Sequence, residues 1–260
     1  MSVVDRVDVI RFGGWRWAPG WEIFWMDGAA QDEPLALLGM VIRSGEDVVL
    51  VNTGPDLEYL PKMNAKWAGF DPRHQVDVAP DEELIPALAK AGVIPEEITH
   101  VIATPFQGYA LGNLLKFPNA EICISRTGWI DFHAPQWRPH PHDDRPFCIP
   151  PDVMVGLVTD AWDRVRLVDN DEIVPGVDVF WTGVHHRSTL AVKVNTANGV
   201  VIASDCFMRV ENITRRHPIG VCESMAEALT AYDRIAREAD ILIPLYDPAI
   251  FDRHPAGRIA

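Results

Sequence analysis

The sequence predicts an α/β (α+β) fold built as a four-layer αββα sandwich, with two sheets face to face and helices outside. Three observations predict it. Short apolar runs rich in Val and Ile recur along the 260 residues, separated by turn signals. They alternate with helical patterns in the first half, and in the second half the dipeptide Asn198-Gly199 marks a hairpin. No linker of flexible composition divides the halves, so residues 1–260 read as one domain.

Taken in order, residues 35–42 and 47–51 read as neighbouring strands joined by Ser44-Gly45-Glu46. The second runs into Asn52-Thr53-Gly54-Pro55-Asp56, where the chain changes direction. Residues 81–91 read as a helix: its acidic start suits the helix dipole, Leu84, Ile85, Leu88 and Ala91 recur on one face, and Gly92 ends it. Pro86 fits only a first turn, which moves the true start a few residues on. A buried strand over 99–103, a helix over 108–116 and a strand over 120–125 follow. Six prolines within residues 135–151 exclude regular structure there and predict a long loop. Residues 164–168 and 177–182 read as strands flanking a turn at Asn170-Asp171-Glu172, and 189–195 pairs with 200–204 across Asn198-Gly199. The capping box Ser224-x-x-Glu227 opens a helix with Met225, Leu229, Tyr232 and Ile235 on one face, and 241–244 is the last strand.

Charge narrows the function. With 23 Lys+Arg against 37 Asp+Glu the formal charge is -14, the wrong sign for phosphate, so neither nucleic acid nor an anionic membrane is an expected partner. No stretch reaches the ~20 apolar residues of a spanning helix. Asp5, Arg6, Asp8 and Arg11 stand where a secretory signal would be apolar, which predicts a cytoplasmic protein. Without that signal the sequon Asn212-Ile213-Thr214 carries no meaning. Cys123, Cys148, Cys206 and Cys222 lack disulfide or thiolate-zinc spacing and read as packed thiols.

In α/β architectures ligands gather where strands end. Five such segments stand out: 52–56, 104–110 (Thr-Pro-Phe-Gln-Gly-Tyr-Ala), 182–186 (Thr-Gly-Val-His-His), Ser204-Asp205-Cys206, and Pro244-Leu245-Tyr246-Asp247. In this order they resemble the five signature segments of the metallo-β-lactamase superfamily. The likeness is closest to its N-acyl-homoserine-lactonase-like branch and runs from about Leu35 to the C-terminus. Glu97-Ile98-Thr99-His100-Val101, Gly112-Asn113, the run 117–122 (Phe-Pro-Asn-Ala-Glu-Ile) and Pro244-x-x-Asp247-Pro248 are similar to the same branch.

The resemblance implies the αββα fold. In active members it also implies two metal ions held by His-x-His-x-Asp-His, a later histidine, a bridging aspartate and a last histidine, with a hydroxide between the ions as nucleophile. Laid onto this chain, the first motif falls on Pro105, Gln107, Tyr109 and Ala110, none of them a good ligand. The later histidine corresponds to His185, or to Val184 if counted back from Ser188 without a gap. The bridging aspartate is Asp205, and the last histidine has become Tyr246. His185 and Asp205 alone would not retain a catalytic ion, so no metal and no other cofactor is expected. Asp205 ends an apolar strand and needs a partner, expected to be His185 or the hydroxyl of Tyr109 or Tyr246.

Other polar groups are weighed against plainer roles. His140-Pro141-His142-Asp143-Asp144 is the densest cluster of ligand-type side chains, and a solvated loop is the favoured reading. His185 or His186 suits a general base oriented by Asp205, acting on water, Ser188 or Cys206; a hydrogen bond tying strand ends is favoured. Asp169, Asp171 and Glu172 read as a turn, and Asp81, Glu82 and Glu83 as a helix start. Trp15, Trp17, Trp21 and Trp25 lie in a segment too rich in Gly and Pro for a helix; their odd spacing puts them on one face of an extended chain, as a core wall or a docking surface.

The resulting expectation is a catalytically silent subunit, structural or regulatory, of a heteromeric metallohydrolase. Its partner would be a metal-bearing paralogous chain, or otherwise a second copy in a homodimer; an aromatic ether hydrolase is one assembly of this kind. Two alternatives remain open. One is a metal-independent hydrolase with His185 as base, Asp205 orienting it, and Gln107, Tyr109 and Tyr246 donating to an oxyanion. The other is a pseudoenzyme that binds a small aromatic ligand beside the tryptophans and Tyr246.

Overall fold

The computed structural model describes residues 2–134 and 145–260. Its first sheet has seven strands: β1 (Arg6–Ala18), β2 (Glu33–Ser44), β3 (Asp47–Val51), β4 (Val76–Asp77), β5 (His100–Ala103), β6 (Glu121–Ser125) and β7 (Val165–Val168), in the order β4-β1-β2-β3-β5-β6-β7. The second has five, β8 (Asn170–Val174), β9 (Val177–Trp181), β10 (Leu190–Thr196), β11 (Gly199–Ser204) and β12 (Ile241–Pro244), in the order β12-β11-β10-β9-β8. β3, β5, β6 and β7 run parallel, as does the pair β11 and β12.

The two sheets pack on a shared apolar layer. Val9, Leu38, Met40 and Val49 come from the first, and Val179, Val192, Val201 and Ile243 from the second. Strands buried on both faces read as unbroken apolar runs, which is why β3, β5 and β11 stand out in the sequence. A second apolar cluster lies under the helices; Leu84, Ala87 and Leu88 of the helix Leu84–Lys90 and Ala228, Ala231, Tyr232 and Ile235 of the helix Met225–Glu238 belong to it. The αββα architecture expected from sequence is therefore present.

Local signals act as anticipated at several ends. The Ser224 hydroxyl accepts the Glu227 N–H, and Thr196 pairs with Gly199 across the Asn198-Gly199 hairpin. Pro86 falls in the first turn of Leu84–Lys90, with a single 3₁₀ turn, Pro80–Glu82, before it. The helix expected over 108–116 is split into Gly108–Leu111 and the 3₁₀ turn Leu114–Lys116. Asn113 stands at the break. Its side-chain amide donates to the carbonyls of Thr53 (2.9 Å) and Pro55 (2.9 Å), and its N–H donates to Thr53 Oγ1. The turn after β3 is thereby stitched to the turn after β5. Asn113→Ala is expected to cost about 2–3 kcal/mol in urea denaturation, because it leaves buried carbonyls without donors.

Three expectations need correction. The tryptophan segment is not free of helix, since one turn spans Gly20–Ile23. Residues 135–151 are not wholly irregular: Arg145–Cys148 is a helical turn and Pro151 opens the helix Pro151–Val158, where a proline at the first position loses no hydrogen bond. The cluster His140, His142, Asp143 and Asp144 lies outside the described residues. Residues 170–172 are not a turn but the start of β8, the edge strand of the second sheet, so the runs on either side of them belong to different sheets. Exposed edge strands are commonly polar, which disguised it. Finally, β1 gave no clear signal although it is the longest strand. Gly13 and Gly14 interrupt it where its register with β2 shifts; Gly13 has φ 115°, and a Cβ on Gly14 would overlap the Leu35 carbonyl.

Candidate functional site

The site lies where β5, β9, β11 and β12 end. All four ends deliver positions singled out in the sequence: Pro105, Gln107, Tyr109 and Ala110 come after β5, His185 and His186 in the connection from β9 to β10, and Asp205 directly after β11. Tyr246 follows β12.

The hydroxyls of Tyr109 and Tyr246, both buried, are 2.9 Å apart. Burial pushes the Tyr246 phenol well above its ordinary value, and the neighbouring Tyr109 and Asp205 push the same way. Tyr246 therefore stays a neutral hydroxyl. His185 Nε2 lies 3.5 Å from the Tyr109 hydroxyl, and its Nδ1 lies 3.3 Å from the Val221 carbonyl. A proton on Nδ1 leaves Nε2 as the acceptor.

Asp205 is fully buried and both its oxygens accept hydroxyl donors, Oδ1 from Thr104 (2.7 Å) and Oδ2 from Thr189 (2.8 Å). These two threonines were not anticipated as its partners. Burial raises the carboxyl pKa, opposed by the charge of His185 and by the two hydroxyls. The Cys206 thiol is pushed up to about 12, chiefly by burial, which suits a packed thiol rather than a nucleophile. Ser188 Oγ accepts the Phe106 N–H at 2.7 Å and meets His186 Nδ1 at 2.8 Å. Cys148 lies against both Gln107 Nε2 (3.8 Å) and His186 Nε2 (4.0 Å), a grouping that its isolated place in the sequence does not reveal.

This donor set does not fit the pair of divalent cations that the fold family implies. Pro105 and Ala110 offer no side-chain donor, and the Gln107 amide faces a thiol. The two tyrosine hydroxyls satisfy each other, and both Asp205 oxygens are engaged. Among the described residues no group of three or more His, Cys, Asp or Glu is arranged to hold a metal ion.

In front of these groups opens a cavity of about 730 Å³. Tyr109, Tyr246, His185, His186 and Gln107 form its floor side, and Trp15, Trp17, Trp21, Trp67 and Phe70 line it with aromatic surface. The odd spacing of the tryptophans is thus split by Pro19-Gly20. Trp15 is a buried core wall, Trp17 is half-buried on the same strand, and Trp21 and Trp25 are exposed. Trp15 packs edge-on against Tyr109 and Trp67, with ring centroids 5.1 and 5.7 Å away. Its Nε1 is buried without a hydrogen-bond partner. Trp67, Phe70, Arg73 and His74 are lining residues that sequence reading missed, because residues 57–75 carry no clear apolar period. Glu22 also lines the cavity, and burial raises its carboxyl to about 7.

No protein-family model matches the chain. Two curated proteins, both named metallo-beta-lactamase domain-containing protein 1, are similar to it. The one from Homo sapiens is 30% identical over 170 residues, 64% of this chain and 54% of that protein; the one from Mus musculus is 26% identical over 161 residues, 62% and 53%. The chain spans about half the length of these relatives. Among solved structures, an N-acyl homoserine lactone hydrolase with the product N-hexanoyl-L-homoserine at its catalytic metal center aligns with a TM-score of 0.78 at 17% identity, over 99% of this chain and 100% of that one. No helix among the described residues is long and apolar enough to cross a membrane. The chain is a metallo-β-lactamase-fold protein, built in the form of the N-acyl homoserine lactone hydrolases.

Proposed function

We propose that this chain binds a small aromatic or apolar molecule in its tryptophan-lined cavity and does not carry out two-metal hydrolysis. One observation carries the reading: the cavity is open and aromatic at the strand ends, while the groups beneath it are tyrosine, threonine and glutamine contacts instead of metal donors.

The test is a titration of intrinsic tryptophan fluorescence with benzyl alcohol, with and without a chelator. A saturable change, equal in both, is expected; its absence, or its loss on chelation, overturns the reading. In parallel, N-hexanoyl homoserine lactone with added zinc is expected to show no turnover above buffer. Turnover that a chelator abolishes would restore the metal-dependent mechanism.

A subunit role is the second reading, favoured by the exposed, adjacent Trp21, Trp25 and Met26 (59%, 43% and 81% accessible). The partner would be a metal-bearing relative, of which an aromatic ether hydrolase subunit is one example, or a second copy of this chain. Size-exclusion chromatography of the chain alone and with a co-expressed relative tests it. A lone monomer in both runs removes this role.

A further inference from the structure

We infer that the ligand of the cavity is an aromatic amine bound in its ammonium form, with its charge beside Glu22 and its ring among the tryptophans. This rests on the cavity being a binding site and goes on to name the class of molecule.

The charges on the cavity wall are unequal. Four carboxylates line it, Glu22, Asp32, Asp71 and Glu223, against one formal cation, Arg73. Three of the four are already engaged. Asp32 accepts Trp17 Nε1 (2.9 Å) and the Gly20 N–H (3.1 Å), Asp71 holds Arg73 (2.8 Å), and Glu223 lies 3.7 Å from Arg187. Arg73 is likewise committed, to Asp71 and to the face of Trp17, 3.6 Å from the ring centroid. Glu22 is left without a hydrogen bond or ion pair to its carboxyl among the described residues. Its backbone is fixed by contrast, with its carbonyl accepting the Gly220 N–H at 2.7 Å.

Much of the remaining wall is aromatic, and the faces of tryptophan rings attract cations. A carboxyl without a partner beside such rings complements an ammonium group. An anionic ligand would meet the same acidic wall with no opposing cation to spare, because Arg73 is neutralised. The other titratable groups sharing the cavity are His74, His185, His186, Cys222, Tyr109 and Tyr246, none of them a permanent cation such as lysine or arginine. The raised pKa of Glu22 agrees with its isolation, since an entering ammonium would supply the charge that holds the carboxylate ionised.

The test compares three probes of one shape at pH 7.5, benzylamine, benzyl alcohol and benzoate, by tryptophan fluorescence and calorimetry, on the wild type and on Glu22→Gln. The amine is expected to bind at least tenfold more tightly than either of the others. Glu22→Gln is expected to erase that preference while keeping affinity for benzyl alcohol within threefold. Equal affinities for the three probes, a preference for benzoate, or a preference that survives Glu22→Gln overturns the amine inference and leaves the binding reading intact. Failure of all three to bind overturns both. Because the substitution removes a half-buried carboxyl whose ionisation the fold disfavours, loss of the fold is not the expected outcome, and a urea midpoint of Glu22→Gln at or above that of the wild type at pH 7.5 verifies that.

Discussion

Gly220→Ala is expected to lower stability by about 2–4 kcal/mol and to weaken ligand binding at least tenfold. A Cβ at this position would overlap the Trp21 carbonyl oxygen, with the Trp21 carbonyl carbon and Glu22 Cα close behind. Backbone, unlike the tip of a flexible side chain, cannot step aside cheaply. The Gly220 N–H also donates to the Glu22 carbonyl, so forcing the segments apart breaks that bond as well as straining the packing. Trp21 and Glu22 would move together, and both line the cavity. Gly28→Ala is the control, since nothing lies within 4 Å of its added methyl group. Its effect should stay within about 0.5 kcal/mol. Urea denaturation and fluorescence titration of the two variants measure both consequences; equal behaviour would show that residues 20–22 do not depend on close contact with residue 220.

Asp205→Ala is expected to cost about 2–3 kcal/mol at pH 5, and Asp205→Asn less than about 1 kcal/mol. Alanine leaves a gap and takes the acceptor from two buried hydroxyls. Asparagine fills the space, keeps one acceptor oxygen, and offers its NH₂ to a threonine oxygen. Thr104 can then turn its proton towards the Leu190 carbonyl, now 3.4 Å away. The pH dependence follows from the direction of the shift. The folded carboxyl has a raised pKa, so its contribution to stability is fully present below the unfolded value of about 3.9 and is lost as pH rises towards the folded value. Asparagine has no such loss, so Asp205→Asn should gain on the wild type between pH 5 and pH 8. An asparagine variant as unstable as the alanine one at both pH values would mean that the carboxylate charge is needed, as it would be beside a metal ion.

The parts of the fold legible in the sequence were those fixed by burial on both faces. Val48, Val49, Leu50 and Val51 admit little besides a central strand. The tract from Arg6 to Ala18 was harder because its glycines serve a bulge and its charged residues sit at strand positions that the periodic pattern does not reward. The candidate site divides in the same way. The order of segments located Gln107, Tyr109, His185, Asp205 and Tyr246, since each directly follows an apolar run. Their partners are a tertiary matter: Thr104 and Asp205 are 101 positions apart, and no local pattern links Tyr109 to Tyr246. The cavity wall was half legible. Trp15 and Trp17 share a strand face, but the opposite side comes from Trp67 to His74, brought there by the short pairing of β4 with β1.

The bond between Tyr109 and Tyr246 also bears on how the protein matures. A strand-end junction closed by two cations is complete only after the cell has delivered them, and until then its acidic ligands repel one another. A junction closed by two phenol hydroxyls is finished at the moment of folding, from the chain's own atoms. On the proposed metal-free reading its assembly answers to synthesis alone, and scarcity of zinc or iron in the growth medium is expected to leave the yield of folded chain unchanged.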